Sequence, residues 1–305
     1  GILSTLLFKM IKRTIYIGNP AYLKLKQNQM LIEDAETKTT KGTVPIEDMA
    51  VLVLDHFQIT ISNQLLIRLQ GNHVAVVNCD AHHLPLGLML PLYGHTEYSE
   101  RIKYQLQASE PLKKQLWKQT VEQKIKNQQL LLALNNKKNK PMLAYGLEVK
   151  SGDATNREGM AAQYYWKHLF DDFSRSRFGE EPNNLLNFGY AILRSIVARA
   201  LVSSGLLPVL GIYHRNKYNP YCLADDIMEP YRPFIDKLVF NYVSIHGTQE
   251  ELTKDIKAHL LTVATQDVKI DGIVRPLLIA VTTTTASLYK CYTGELRHLK
   301  YPVLD

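Results

Sequence analysis

The chain lacks the motifs that mark the commonest catalytic classes. It contains no GxGxxG, no P-loop and no GxSxG turn. Dinucleotide binding, P-loop nucleotide hydrolysis and the serine-hydrolase mechanism therefore have no sequence to stand on. It is poor in cysteine: Cys79, Cys222 and Cys291 are far apart, with no CxxC pair and no zinc spacing. That excludes a disulfide framework and points to a reducing, cytoplasmic setting. The apolar stretch Gly1–Phe8 has neither the basic front nor the length of a signal peptide. Met10-Ile11-Lys12-Arg13 reads as a natural start, with residues 1–9 an extension of no assigned function. One run, LLNFGYAILRSIVARALVSSG over residues 185–205, is long enough to suggest a membrane. Arg194 and Arg199 in its middle would be expensive in lipid, so no membrane association is expected. The run is expected instead as a core helix, with Gly189, Ala191 and Ala198 allowing close packing and both arginines needing anionic partners.

What is present is a 305-residue chain with 46% apolar residues, room for one large or two ordinary domains. Its net charge of +7 is unevenly spread. Residues 94–140 hold 10 basic and 4 acidic side chains, so nearly all the excess sits there. A concentrated positive charge attracts a polyanion over long range, although a lysine-rich solvated helix has the same composition.

In chain order, residues 14–90 read as strands. Met49–Leu54 is apolar enough to be buried on both faces, and Gln58–Ser62 alternates with period two. Ser62 is expected to cap a short helix over 64–69, ended by Gly71. Tyr22, after Asn19-Pro20-Ala21, reads either as an exposed aromatic in a turn or as part of the β-core. From residue 97 onward the pattern is helical: 98–106, 112–134, 185–205, 249–265 and 276–291. The one interruption is a hairpin signal at Asp271-Gly272. The expected fold class is thus α+β with two domains. A small β-rich domain, 10–93, precedes a larger all-α domain, 98–305, that carries the functional site.

Two stretches hold the candidate chemistry. In Val209–Asp236 a helical projection puts Leu223, Ile227, Tyr231, Phe234 and Leu238 on one stripe. Asp225, Glu229, Arg232 and Asp236 lie opposite, Asp226 at the flank. Pro230 and Pro233 should kink this helix, and His214 precedes it. An acidic stripe is ordinarily a solvated face. In the second stretch, Thr155-x-x-Glu158 fits a capping box. Glu158 nevertheless aligns with Ala162, Tyr165 and Leu169 on the inward stripe, where a carboxylate needs a metal ion or an arginine. One imidazole with several carboxylates suits Mg²⁺ or Mn²⁺ better than zinc, and such ions act on phosphodiesters.

Asn156-Arg157-Glu158-Gly159, Gly211-Ile212-Tyr213-His214 and Asp226-Ile227-Met228-Glu229-Pro230-Tyr231-Arg232-Pro233 occur in that order behind a β-rich region. This set resembles the CRISPR-associated adaptation integrase, the spacer-inserting subunit, and looks closest to the branch accompanying single-effector (type II) systems. The resemblance spans Met10 to the C-terminus. It implies that Glu158, His214 and Glu229 ligate Mg²⁺ or Mn²⁺, with Asp226 behind them. It also implies transesterification, in which the 3′-hydroxyl of a prespacer attacks a phosphodiester at the end of a CRISPR repeat. Arg157, Arg215, Lys217 and Arg232 are candidate contacts to double-stranded DNA, and Tyr22 a candidate duplex-ending wedge. The implied assembly is a homodimer formed through the β-rich domain, two dimers being bridged by a small ferredoxin-like adaptation protein. Two alternatives stand beside this: a metal-dependent nuclease on branched repair intermediates, sharing every site residue, and a catalytically silent DNA-binding scaffold, which predicts no Mn²⁺ site.

Overall fold

Strand Met49–Leu54 is buried along its whole length because it lies between two hydrophobic cores. The computed structural model describes residues 12–171, 173–176 and 178–305; the 1–9 extension lies outside them. The chain opens with β1 (Arg13–Ile17), β2 (Ala21–Lys26), β3 (Gln29–Asp34), β4 (Thr40–Pro45), β5 (Met49–Leu54) and β6 (Ile59–Ile61). Helix α1 (Asn63–Gly71), β7 (Ala75–Cys79) and β8 (Pro85–Met89) follow. Strands β1, β5 and β7 pair in parallel, with β8 antiparallel at the edge; a second sheet runs β4-β3-β2-β6. Alternation along β5 sends Leu52 and Leu54 to a small core shared with α1, whereas Val51 and Val53 join the core of the helical region. Ser62 caps α1 as its sequence suggests, accepting from the Leu65 N–H.

The remainder is largely helical: α2 (Tyr98–Gln107), α3 (Glu110–Leu134), α4 (Lys140–Leu147), α5 (Arg157–Leu169), α6 (Asn183–Ser203), α7 (Cys222–Met228), α8 (Arg232–His246) and α9 (Lys254–Leu261). Strands β9 (Asp267–Ile270) and β10 (Ile273–Pro276), then α10 (Leu277–Thr293) and β11 (Pro302–Val303), complete it. The expectation of an all-α second region needs correction. Asp271 and Gly272 both adopt positive φ (53° and 75°), which the tight hairpin requires, and β11 returns to pair with β9. A third sheet, β10-β9-β11, therefore sits among the helices. The helix expected over 249–265 is also shorter, starting at Lys254 where the Thr253 hydroxyl accepts from the Ile256 N–H.

Helix α6 is the central strut. Among the described residues it alone is long and apolar enough to cross a membrane, yet 83% of its apolar stretch is buried inside the protein. It packs on α7, α8, α9 and α10, and against β7 and β8. Arg194 has the expected anionic partner, donating to both Asp225 oxygens at 2.6 and 3.0 Å. Arg199 does not. Its Nε donates to the His73 carbonyl at 2.6 Å, and burial lowers its pKa to about 10. Tyr22 is on strand β2 rather than in a turn, with the Lys38 ammonium 3.6 Å above its ring.

Gly189 lets α6 and α8 approach closely: a Cβ there would lie 2.5 Å from Ile235 Cγ2. Gly189→Ala is expected to cost about 1–3 kcal/mol by overpacking, despite the better helix propensity of alanine. Urea denaturation measures it; an unchanged or raised midpoint contradicts this packing.

Candidate active site

Helix α3 supplies the floor of the site. Its buried stripe includes Trp117, Thr120, Val121, Lys124, Asn127, Gln128 and Leu131. Trp117 and Lys124 are seven residues apart and so point the same way two turns along the helix. The Trp117 ring stacks on Tyr213 with centroids 4.2 Å apart and planes within 2°, and meets His214 edge-on at 5.6 Å. The 211–214 loop is thereby pressed onto α3. Gly211 is required in it, since a Cβ would lie 2.3 Å from the His214 carbonyl oxygen.

The kinked helix is present, but its acidic face is not solvated. Helix α7 gives way to a 3-10 turn, Glu229–Tyr231, before α8 begins, because Pro230 and Pro233 interrupt the α-helical hydrogen bonds. Asn127 secures the turn by donating to the Pro230 carbonyl at 2.8 Å. Asp225, Asp226, Glu229 and Asp236 are all buried. Each has a partner, as burial demands. Asp225 takes Arg194 and the Asn219 amide at 2.6 Å. Asp236 accepts from Tyr165 at 2.8 Å and Tyr190 at 2.5 Å. Burial still lifts its pKa to about 6, although both phenols and Arg232 pull it down.

Asp226 organises the loop. Its Oδ2 accepts from the Tyr213 N–H at 2.9 Å, and its Oδ1 from the His214 N–H at 3.2 Å and from His214 Nδ1 at 2.5 Å. With Nδ1 donating there, Nε2 is the ring nitrogen left with a lone pair. The bond to Asp226 raises the His214 pKa against the opposing effect of burial, and the charges on Glu229 and Glu158 add to the rise. Burial acts the other way on Asp226, raising its own pKa, so the three donors hold a carboxylate that would otherwise take up a proton more readily.

Glu158 stands at the start of α5, but not in a capping box. Asn156, in the left-handed region at φ 51°, is the cap and accepts from the Gly159 N–H at 3.3 Å. Asp153 accepts from the Arg157 and Glu158 N–H groups at 2.8 and 3.0 Å. With those donors satisfied, the Glu158 side chain turns inward and takes the Lys124 ammonium at 2.6 Å. The same ammonium lies 2.5 Å from Glu229 Oε2, and Arg232 Nε donates to Glu229 Oε1 at 2.8 Å. Burial alone would raise the Glu229 pKa; Arg232 and Lys124 outweigh it and hold the group well below the usual carboxylate range.

Glu158 and Glu229 therefore meet at one cation position, and His214 faces them electrostatically. The donor set of two carboxylates and one imidazole keyed by a second carboxylate fits a hard divalent ion. Glu229 Oε2 is a buried oxygen held against the Lys124 ammonium. The fit is one of chemistry and orientation. Among the described residues no three histidine, cysteine, aspartate or glutamate side chains are gathered tightly enough to enclose an ion, and Lys124 holds the central place. Lys124 escaped the sequence reading, which counted it with the basic track of 94–140. Its position on the inward stripe of α3, one turn from Val121 and two from Trp117, was the available signal.

The proposed phosphate contacts divide. Arg157 pairs with Glu148 at 2.8 Å, Arg215 with Glu110, and Arg232 with Glu229. Lys217 is exposed, 4.8 Å from the Tyr218 ring centroid, and shares with His214 and Arg215 a cleft of about 420 Å³. On the basic segment Lys103, Lys114, Lys126, Lys138 and Lys140 are exposed, whereas Lys124 is withdrawn from any surface track.

Comparison with known proteins agrees over nearly the whole chain. The family model for CRISPR associated protein Cas1 matches residues 15–267. The CRISPR-associated endonuclease Cas1 of Neisseria meningitidis serogroup C (strain 8013) is 36% identical over 296 residues, covering 96% of each chain. A casposase bound to its integration product superposes with a TM-score of 0.79 at 18% identity, over 95% of this chain and 92% of that one. A chain of a Cas6-RT-Cas1–Cas2 complex gives 0.73 at 18% identity, over 94% of this chain and 35% of the other.

Asp226→Asn is expected to lower the His214 pKa by about one unit or more, read by NMR titration of the imidazole. Because the folded pKa of His214 is raised, the stabilisation from this pair is present at low pH and is lost as pH rises through that pKa. Asp226→Asn should thus destabilise more in mildly acid than in alkaline buffer. An unmoved His214 titration contradicts the assigned contact.

Proposed function

The chain belongs to the CRISPR-associated Cas1 family, and from that premise we propose that it is a divalent-metal-dependent DNA integrase and endonuclease. Its task on this reading is the insertion of prespacer DNA into a CRISPR array, within a system closest to the type II branch. The observation that carries the reading is the meeting of Glu158 and Glu229 at one buried cation position beside an imidazole keyed by Asp226. Glu158, His214 and Glu229 are the residues that would hold Mg²⁺ or Mn²⁺. Such an ion, when bound, supplies charge neutralisation at the phosphoryl group and at the leaving oxygen.

The chain's own residues prepare that chemistry. Asp226 holds the Nδ1 proton and thereby aims Nε2. Arg232 fixes the rotamer of Glu229, and Trp117 fixes the plane of the loop carrying His214. Lys217 and the exposed lysines of α2, α3 and α4 meet backbone phosphates, Arg157 and Arg215 joining them if their surface ion pairs open. Transesterification exchanges one phosphodiester for another, so no covalent enzyme intermediate is needed and positioning supplies much of the acceleration. Cleavage uses the same residues with water in place of the 3′-hydroxyl, in keeping with the endonuclease name of the Neisseria relative. The casposase and the Cas1–Cas2 complex among the structural neighbours support a DNA substrate and a protein partner. The assembly we propose is a homodimer through the β-rich region, two dimers bridged by the small ferredoxin-like protein, in the cytoplasm.

A strand-transfer assay on repeat-containing DNA with Mn²⁺, with and without the small partner, tests this. Glu158→Ala, His214→Ala and Glu229→Ala should each lose activity by about a hundredfold or more while retaining DNA in a gel-shift assay. Full activity in any one removes that residue from the site. Cleavage products without strand transfer favour the nuclease reading, and neither product favours the scaffold.

The exposed lysines predict a steep salt dependence, with affinity falling as a high power of salt concentration. A flat response in a filter-binding titration removes them from the DNA track.

A further inference from the structure

Lys124 is the least expected residue of the site. It is buried, it comes from the inward face of α3, and its ammonium lies between the two carboxylates that the proposed metal site would use. Nζ lies 2.6 Å from Glu158 Oε1 and 2.5 Å from Glu229 Oε2, so one ammonium bridges both carboxylates. That bridging position between two carboxylate oxygens is the kind a different cation can take over. Charge balance points the same way. Glu158 and Glu229 are matched by Lys124 and Arg232, so these four side chains together carry no net charge. A dication added to them would leave two surplus positive charges, a surplus reduced if one organic cation left. Arg232 cannot readily leave: its guanidinium bonds Glu229 and lies 4.5 Å from the Tyr190 ring centroid. Lys124 carries its ammonium on a flexible four-carbon stem.

We propose that Lys124 is a built-in, displaceable counter-ion: it occupies the cation position between Glu158 and Glu229 in the metal-free protein and is expelled when a divalent ion binds. This rests on the metal-site reading above. In its place Lys124 holds two mutually repelling carboxylates together and spares them burial without a partner. In leaving, it becomes a free ammonium beside the site, available to a substrate phosphate. Metal loading is then an exchange of cations, and the lysine sets how much metal is needed.

Two measurements on the full chain test it. In the wild type, acylation of lysines by an N-hydroxysuccinimide ester, read by mass spectrometry, should modify Lys124 several-fold more in saturating Mn²⁺ than without metal. By calorimetry, Lys124→Met should bind Mn²⁺ roughly tenfold tighter or more, having lost the competitor. The footprint keeps the test decisive if that variant folds poorly. Lys124 labelling unchanged by Mn²⁺, together with calorimetric binding that Glu158→Gln abolishes, overturns the displacement and leaves the metal site standing. If the wild type binds no Mn²⁺, or Glu158→Gln binds it equally well, the metal-site reading fails and takes the displacement with it.

Discussion

The arrangement of the helical region depends on keeping a buried carboxylate, Glu229, and a part-buried one, Glu158, in one place without leaving their charge unanswered. An unpaired buried carboxylate costs several kcal/mol, enough to consume much of a domain's net stability. Here Lys124 and Arg232 answer Glu158 and Glu229 across four elements: α3, the start of α5, the 3-10 turn and the start of α8. Opening either glutamate to water would release the charge but also separate those elements. Electrostatic balance at the site and packing of the helices are thus the same constraint viewed at two scales. The same cluster that costs most to bury is the one best suited to hold a cation.

Other features of the fold serve this placement. Helix α6 fills the centre, ties α7 through Arg194 and Asp225, and admits α8 closely at Gly189. The prolines do more than bend the chain. They create the turn on which Glu229 sits, and Asn127 of α3 takes up a carbonyl of that turn. Trp117 and Asp226 then fix the loop that carries His214 from two sides, by stacking and by three hydrogen bonds. Each of the three proposed ligands has its own support, which is how side chains from distant segments keep a defined geometry.

Part of this was legible in the residues alone. The apolar run of β5, the helix around Gly189 and the Asp-Gly hairpin carry their structure in composition and spacing, since burial and turn chemistry act locally. The inward direction of Glu158 was also readable from its alignment with Tyr165 and Leu169. The capping box was not resolvable at that level, because Asp153 takes the Glu158 N–H that a Thr155 cap would use, and the left-handed backbone at Asn156 makes that residue the cap. The acidic stripe misled for a different reason. Partners such as Arg194, Tyr165 and Tyr190 lie many residues away, and one helix's projection cannot show them. Lys124 was hidden by summing charge over a segment; position on a face, not net charge, marks a lysine that pairs inside.

The most direct measurement is anomalous scattering at the manganese edge from crystals of the full chain soaked in Mn²⁺. The account predicts a single strong peak within bonding distance of the Glu158 and Glu229 carboxylates and of His214 Nε2, with the Lys124 ammonium moved away. Crystals that keep Lys124 between the two glutamates at saturating Mn²⁺, with no peak beside His214, would contradict it.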